Sequence, residues 1–494
     1  MWVFLFSVLL MFLMRNLYRL YLHPLSKVPG PKLAAVSHLV EFYYDVLRGG
    51  KYLQQVENMH KVYGPVVRIS PSEVHVSDPR FYTEVYSAGG RKRNKSPKIA
   101  SGLRAAESLP AIINHDHHNL RRRHLNPPFS KPATRAVTPT IQSKIEVVTA
   151  QFVRAYMKDP THALIDLDPV FTALTADIVT QFTFGKDLRF LEDQKFNNVI
   201  VGTVREMTGQ YHVNRFFPWL SPLLDVLPPW FMYTLRPKLA GMYEFQNRLN
   251  QQPETKENGS RALINVLSDP SRSPEERSPE FIRDNINILL GAATDTTSGT
   301  LLMGLYYLAQ NRSLWLRVRQ ELGEMMPTPD SPASWPSMEK LPLLHAVFNE
   351  TLRLGPISIR SARVPVDETL VCHGHSIPPG TCISMSARIL HMNTEAFPDP
   401  YHFDPDRWLR ADQQQHVKMM QALVPFGKGN RDCIGRYLAT AEIYMILASI
   451  IRRFDVELYD TTPDDVAFTR DYIVGRSEKG VWQVKIRITG VVEN

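Results

Sequence analysis

Cysteine is scarce in this chain. There are three in 494 residues, Cys372, Cys382 and Cys433, and no two share a C-x-x-C spacing. That excludes a disulfide framework and points to a reducing compartment for the body of the protein. Glycine is also low, 25 residues against 37 prolines, so the irregular connections are stiff rather than floppy. No acidic residue precedes Glu41, and no internal repeat is visible. With 44% hydrophobic and 21% charged residues the composition is that of a globular protein, which excludes a disordered chain, a collagen and a multi-span membrane protein. The formal charge of +8 is mild at this length. It suits an anionic membrane surface or an acidic partner, but on charge alone it reads first as a solvated surface.

One apolar run is present, and it comes first. Met1 to Met14 carries no charge, and Arg15 and Arg19 follow among Leu17, Tyr18, Leu20, Tyr21 and Leu22. Extended to Leu22, with the arginines snorkelling, the run reaches the ~20 residues that a membrane span needs. Nothing positive precedes it and no small-residue cleavage site ends it, so it reads as an uncleaved anchor over residues 1–26. Arg15, Arg19, Lys27 and Lys32 all follow the run, which leaves the body on the cytosolic side. Val28-Pro29-Gly30-Pro31 then forms a stiff stop.

Residues 27–494 read as one mainly α domain with small β-sheets. A hairpin is expected at Val66–Ile69 and Val74–Val76, with a helix start at Ser77-Asp78-Pro79. Amphipathic helices fill roughly 135–250, and β-like segments return at 364–387 and 481–488. The polar stretch 251–280 reads as a surface loop. The clearest helix opens at Ser278-Pro279-Glu280: a cap, a proline at the first helical position, and an acid at the positive end of the dipole. It runs to about Gln310, ~30 residues or roughly 45 Å. Midway lies Gly291-Ala292-Ala293-Thr294-Asp295-Thr296-Thr297, where small residues let something flat approach the backbone. An acid and hydroxyls are costly in an apolar helix unless used, or unless the hydroxyls bond back to their own helix.

Phe426-Gly427-Lys428-Gly429-Asn430-Arg431-Asp432-Cys433-Ile434-Gly435 precedes a helical pattern running to Phe454. Two glycines permit a tight turn whose amides can face the sulfur. A cysteine at a helix N-terminus is stabilised as thiolate. Gly435 leaves room for a bulky planar group, and Arg431 is placed to meet an anion. Cys372 and Cys382 have no such surroundings and read as core.

The pattern Phe-x-x-Gly-x-Arg-x-Cys-x-Gly resembles the haem-binding loop of the cytochrome P450 family, the haem-thiolate monooxygenases. Glu350-Thr351-Leu352-Arg353 and Phe403-Asp404-Pro405-Asp406-Arg407-Trp408 resemble two further family motifs. The resemblance implies a structural ion triad of Glu350, Arg353 and Arg407, its spare arginine donors satisfied by carbonyls of the loop before Cys433. Ala292 to Thr297 resembles the oxygen-activation motif, with Ala293 where glycine is usual. His118, Asn119 and Arg122 stand where the family has Trp-Arg-x-x-Arg.

By resemblance, the cofactor is haem b with iron on Cys433, and Arg122, His118, Arg363 and Arg431 bind it. Of the strand arginines Arg360 and Arg363, the latter is the expected propionate partner, and Arg121 and Arg123 read as surface charge. Asp295 and Thr296 are the expected catalytic pair, relaying protons for O2 cleavage. The substrate is an apolar small molecule. Its expected contacts are Ile112-Ile113, Phe216-Phe217 with Trp219, Leu289 to Ala293, Ile357 to Ile359, and Tyr472 to Val474.

Electrons would come from an NADPH–cytochrome reductase, because no flavin or iron–sulfur segment is seen. It would dock on a basic face of Lys428, Arg431, Arg436 and Arg121–Arg123. The location implied is the endoplasmic reticulum membrane, single-pass, and nucleic acid is not an expected partner. Tyr18 to Pro31 and Ala88 to Arg93 resemble filamentous-fungal members of the trichodiene-oxygenase type, which implies a terpenoid or polyketide intermediate of secondary metabolism. A haem-thiolate isomerase or dehydratase, or a haem sensor, would have less use for Asp295 and Thr296.

Overall fold

A computed structural model describes residues 1–494 apart from 87–88, 194–198, 221–222, 224–225, 229, 232–233, 235–261, 333, 358–359 and 493–494. The apolar N-terminus forms helix α1 (Trp2–Leu17), continued by a π-helical turn to Leu22, with no part of the 21-residue stretch buried. Its base is tied to the body: Arg19 Nη1 donates to the Val36 carbonyl at 2.6 Å, and Arg68 Nη1 donates to the Arg19 carbonyl at 2.8 Å. Gly30 makes this possible, since a Cβ there would run into the Arg68 carbonyl oxygen.

The expected hairpin is β1 (Val66–Ser70) against β2 (Glu73–Val76). A five-stranded sheet, ordered β1-β2-β8-β5-β3, adds β3 (Arg93–Lys95), β5 (Arg360–Pro365) and β8 (Cys382–Ser386). Only β2–β8 is parallel there. A second sheet orders β4 (Leu164–Asp166), β12 (Lys485–Val491) and β9 (Phe454–Leu458) as β4-β12-β9. Two short hairpins pair β6 (Leu370–Cys372) with β7 (His375–Ile377), and β10 (Arg470–Tyr472) with β11 (Val474–Arg476).

Helices make up most of the rest. They include α2 (His115–Leu125), α3 (Lys131–Lys158), α4 (Leu167–Phe184), α5 (Val199–Gly209), α6 (Pro279–Gln310), α7 (Arg312–Gly323), α8 (Pro342–Leu354), α9 (Ala387–His391) and α10 (Arg436–Arg453). Their starts follow the sequence. Asn114, Ser130, Asp166 and Ser278 each accept a backbone N–H of the first turn they cap. Helix α6 is 32 residues long and crosses the body against α4, α8 and α10. At its crossing with α8 and α10 sits Gly304, where a Cβ would lie 3.1 Å from Thr351 and 3.3 Å from Leu447. The core gathers there: Leu301, Leu302 and Leu305 of α6, Trp315 of α7, Val347 of α8 and Ile446 to Ile451 of α10 are buried. Each large apolar side chain so buried contributes about 1.5–3 kcal/mol.

Behind this core Glu350 lies fully buried, and its carboxylate is saturated. Arg353 donates through Nε (2.9 Å) and Nη2 (2.7 Å), Arg407 through Nε (3.1 Å), Trp408 through Nε1 (3.0 Å), and Asp404 through its backbone N–H (3.0 Å). The expected triad is therefore formed, but its surplus donors go elsewhere than expected. Arg353 donates to the carbonyls of His391, Pro400 and His402, and Arg407 to those of Pro398, Asp399 and His402. The loop before Cys433 is reached one step later, through His391. Its Nδ1 donates to the Arg353 carbonyl at 2.9 Å, and its Nε2 accepts the Val424 N–H at 2.9 Å. Burial pushes the His391 imidazolium down to about 3, which keeps the ring neutral.

Two outcomes follow from this network. Glu350→Gln leaves two buried guanidiniums without a carboxylate and should cost about 3–5 kcal/mol, seen as a lower denaturant midpoint. An unchanged midpoint would contradict the role given to Glu350. His391 is neutral when folded and titrates near 6.5 when unfolded, so its contribution is complete above pH 6.5. Below that, the unfolded chain takes up the proton first, and stability falls by about 1.4 kcal/mol per pH unit until the folded pKa is reached. The decline from pH 6.5 to 4.5 should be shallower in His391→Gln; parallel declines would refute the assignment.

Candidate active site

The cysteine loop is shaped by its glycines. Gly427 (φ 68°) and Gly429 (φ 81°) adopt left-handed backbone that other residues rarely take. The chain can then return so that the Cys433 N–H donates to the Phe426 carbonyl at 2.7 Å. That amide therefore does not face the sulfur; the Gly435 N–H does. Helix α10 starts only at Arg436, with Gly435 as its cap and open space where a Cβ would be. The Cys433 side chain is accessible, yet enclosed by protein, because it opens into a cavity. Burial raises its pKa, opposed by the Gly435 N–H and by Arg122 and Arg436.

The cavity has a volume of about 390 Å³ and lies between α6 and this loop. Ile288, Leu289, Ala292 and Thr296 of α6 line it, with Ile357 and Met385. Expected contacts at Leu289, Ala292 and Ile357 are thus present. Others are not. Phe216 and Phe217 pack edge-on against Phe42, Trp219 is exposed, and Ile112 and Ile113 serve through their carbonyls. Ile473 lines a second, smaller cavity, and Ser358 and Ile359 fall outside the described residues.

Arg363, Arg431, Arg122 and His118 all reach the main cavity. Arg431 donates to the carbonyls of Ile112 (2.7 Å), Ile113 (3.0 Å) and Asn114 (3.2 Å), and its buried Nε has no partner among the described residues. Burial and then Arg363 push its pKa down to about 9. His118 is buried, its Nδ1 has no partner among the described residues, and burial, then Arg431, pushes its pKa down to about 2, so the ring is neutral. Arg122 is already engaged, donating to the Asp432 carbonyl and carboxylate at 2.6 Å each. Arg360 is elsewhere, paired with Glu41. Arg121 is not surface charge: it is buried, stacked 4.2 Å from the Phe281 ring centroid, and donates to the Glu275 carbonyl.

Thr296 and Asp295 diverge. Thr296 lines the cavity, with its hydroxyl donating to the Ala292 carbonyl at 2.7 Å. Asp295 turns away and pairs with Arg476 of β11, and Arg205 of α5 stands 3.7 Å from its other oxygen. Arg205 in turn grips Asp168 at 2.6 and 2.9 Å. Arg476, Arg205, His391 and Lys95, which also lines the cavity, went unmarked in the sequence. None sits in a motif, and their partners are remote along the chain.

This donor set fits a flat, dianionic, metal-bearing group. A sulfur lies on one wall, small residues on another, and between them lie Arg363 and Arg431, which pair with no carboxylate among the described residues. Comparison with known proteins agrees. The cytochrome P450 family matches residues 29–483. The chain is 38% identical over 479 residues to cytochrome P450 monooxygenase TRI4 of Trichoderma arundinaceum, covering 95% of this chain and 92% of that one. It is 36% identical over 482 residues to conidiogenone synthase of Penicillium rubens, covering 96% of each. It is 36% identical over 502 residues to cytochrome P450 monooxygenase aflU of Aspergillus parasiticus, covering 99% and 98%. With the cysteine loop, the buried Glu350 network and the cavity beneath α6 all in place, this chain belongs to the cytochrome P450 family of haem-thiolate monooxygenases.

Proposed function

We propose that this enzyme hydroxylates or epoxidises an apolar small molecule, a terpenoid or polyketide intermediate of fungal secondary metabolism, with Cys433 as the axial thiolate. The observation that carries this reading is the cavity itself, where Cys433 and Thr296 meet an otherwise largely apolar lining. Relatives named as a conidiogenone synthase and as two cytochrome P450 monooxygenases, from three fungal genera in all, support it. Haem, when bound, supplies the reductive activation of O2; the thiolate favours O–O cleavage.

The chain's own residues have separate tasks. Cys433 holds iron, with the Gly435 N–H tempering its charge. Arg363 and Arg431 meet the propionates, and neutral His118 offers them an N–H. Arg122 acts through the loop, fixing Asp432 beside the ligand. Thr296 has spent its proton on Ala292, so its oxygen serves as acceptor and fixes a water in the cavity. Asp295 feeds protons toward that water, and it must exchange its Arg476 partner to do so. Residues 1–26 anchor the enzyme in the endoplasmic reticulum membrane, and 27–494 form the catalytic domain on the cytosolic side. Electrons arrive from an NADPH–cytochrome reductase docked on the basic face carrying Arg123, Lys428 and Arg436.

The test is turnover with reductase, NADPH and candidate intermediates, read by mass spectrometry. Wild type should add one oxygen atom to one of them. Thr296→Ala should keep its haem content while product per NADPH falls several-fold and peroxide rises. Asp295→Asn should slow turnover by about 10²-fold, the scale of a lost proton donor. Unchanged coupling in Thr296→Ala would return that hydroxyl to a purely helical role.

A further inference from the structure

One wall of the cavity comes from an irregular segment. Residues 102–114 run in turns and bends. The Ser108 N–H donates to the Ala105 carbonyl at 3.0 Å, and the Ala111 N–H to the Ser108 carbonyl at 2.9 Å. Leu109 sits in this segment, 6% exposed, and lines the cavity. The far end of the segment is held by Arg431, through the carbonyls of Ile112, Ile113 and Asn114. The near end is held from α6.

Two consecutive side chains of α6 take the backbone of residues 107–109. Asp284 Oδ2 accepts the Glu107 N–H at 3.2 Å. Asn285 Oδ1 accepts the Leu109 N–H at 2.9 Å, and its Nδ2 donates to the carbonyls of Glu107 at 3.2 Å and Phe281 at 2.8 Å. Asn285 is 1% exposed, so both its donors and its oxygen are spent inside the protein. The bond to Phe281 lies within its own helix, whereas the other two cross 178 and 176 residues. An apolar side chain would serve α6 itself as well, since a buried amide is costly unless bonded. What the two long-range bonds fix is the place of Leu109.

That place is set relative to Thr296 by the face of α6. Asn285, Leu289, Ala292 and Thr296 all line the cavity, at intervals of four, three and four residues that keep them on one side of the helix. Of the lining residues of α6, Asn285 is nearest the helix N-terminus, eleven residues from Thr296 or roughly 16 Å along the axis. We propose that Asn285 is a positioning residue that sets Leu109 as the end wall of the substrate chamber. The depth from Leu109 to Thr296 then decides which carbon of the substrate lies where oxygen is activated. Because Asn285 donates both its N–H groups to carbonyls of the chain, it offers the substrate no donor. This end of the chamber therefore recognises hydrocarbon, and a hydroxyl or carbonyl placed there would find no partner on Asn285 or Leu109. The inference rests on the apolar substrate proposed above and adds the end by which it is measured.

The experiment uses the full-length, haem-loaded enzyme and two probes that ligate iron through a ring nitrogen: imidazole, and 1-octylimidazole, whose chain reaches along the chamber. Dissociation constants are read from the Soret shift for wild type, Leu109→Ala, Asn285→Leu and the double variant. Leu109→Ala should weaken 1-octylimidazole at least fivefold and imidazole less than twofold. Asn285→Leu should do the same. In the double variant it should add less than twofold to the loss from Leu109→Ala, because the side chain it positions is already gone. Losses that multiply in the double variant overturn the proposal, as does unchanged 1-octylimidazole binding in either single variant. An equal loss for imidazole also overturns it, since that is general damage to the haem site. If Asn285→Leu takes up no haem, Asn285→Ser takes its place, because a serine hydroxyl can bond back to Phe281 but is too short for Leu109. The same selective loss in Asn285→Ser supports the proposal, and its absence or a failure to take up haem overturns it. Equal affinity of wild type for the two probes would instead refute the apolar chamber of the proposed function, and this inference with it.

Discussion

The carboxylate of Glu350 is the point from which the site is hung. It is fully buried and accepts five hydrogen bonds, from Arg353, Arg407, Trp408 and the backbone of Asp404. One carboxylate cannot use all the donors of two guanidiniums. The remainder collect the carbonyls of residues 391–402 and lock an irregular segment that has little regular hydrogen bonding of its own. From there the constraint passes through the neutral ring of His391 to Val424, at the start of the cysteine loop. The sulfur position is thus set by a polar chain rooted in the core, and the glycine turns let the loop comply.

Two regimes of buried charge bear on the site, apart from Arg68, which is held on carbonyls. Around Glu41 and Asp45, and around Glu350, buried cations share carboxylates, and the clusters join distant segments. Around the cavity, Lys95, Arg363 and Arg431 pair with no acid among the described residues. Asp295 belongs to the first regime although it lies in the oxygen-activation motif, gripped by Arg476 and neighboured by Arg205. A carboxylate so held is committed to its arginine partners. The proton delivery proposed for it would therefore depend on motion of β11 or α5, the elements that carry those arginines.

What was legible in the sequence was local. The cap and proline of α6, the β1–β2 hairpin, the two glycines before Cys433 and the i,i+3 spacing of Glu350 and Arg353 all act within a few residues, and all four took the expected form. What was not legible depends on how remote segments are brought together. Lys95 faces Arg363 only because β3 pairs with β5 in one register. Asp295 meets Arg476 across 181 residues. His391 looks like any lone histidine until Arg353 and Val424 arrive on either side. The same reason explains the misplaced expectations. Arg121 sits one position from Arg122 but on a buried helix face, and Phe216 and Phe217 find Phe42 before they can reach the cavity.

This polar scaffold is what would present Cys433 as a thiolate to haem iron in the cavity beneath α6. The most direct measurement is the carbon monoxide spectrum of the reduced, haem-loaded protein, for wild type and Cys433→His. Wild type should show the long-wavelength Soret band of a thiolate ligand, and Cys433→His should bind haem without it, because an imidazole lacks the sulfur's electron donation. A Cys433→His protein that keeps the long-wavelength band would contradict the account.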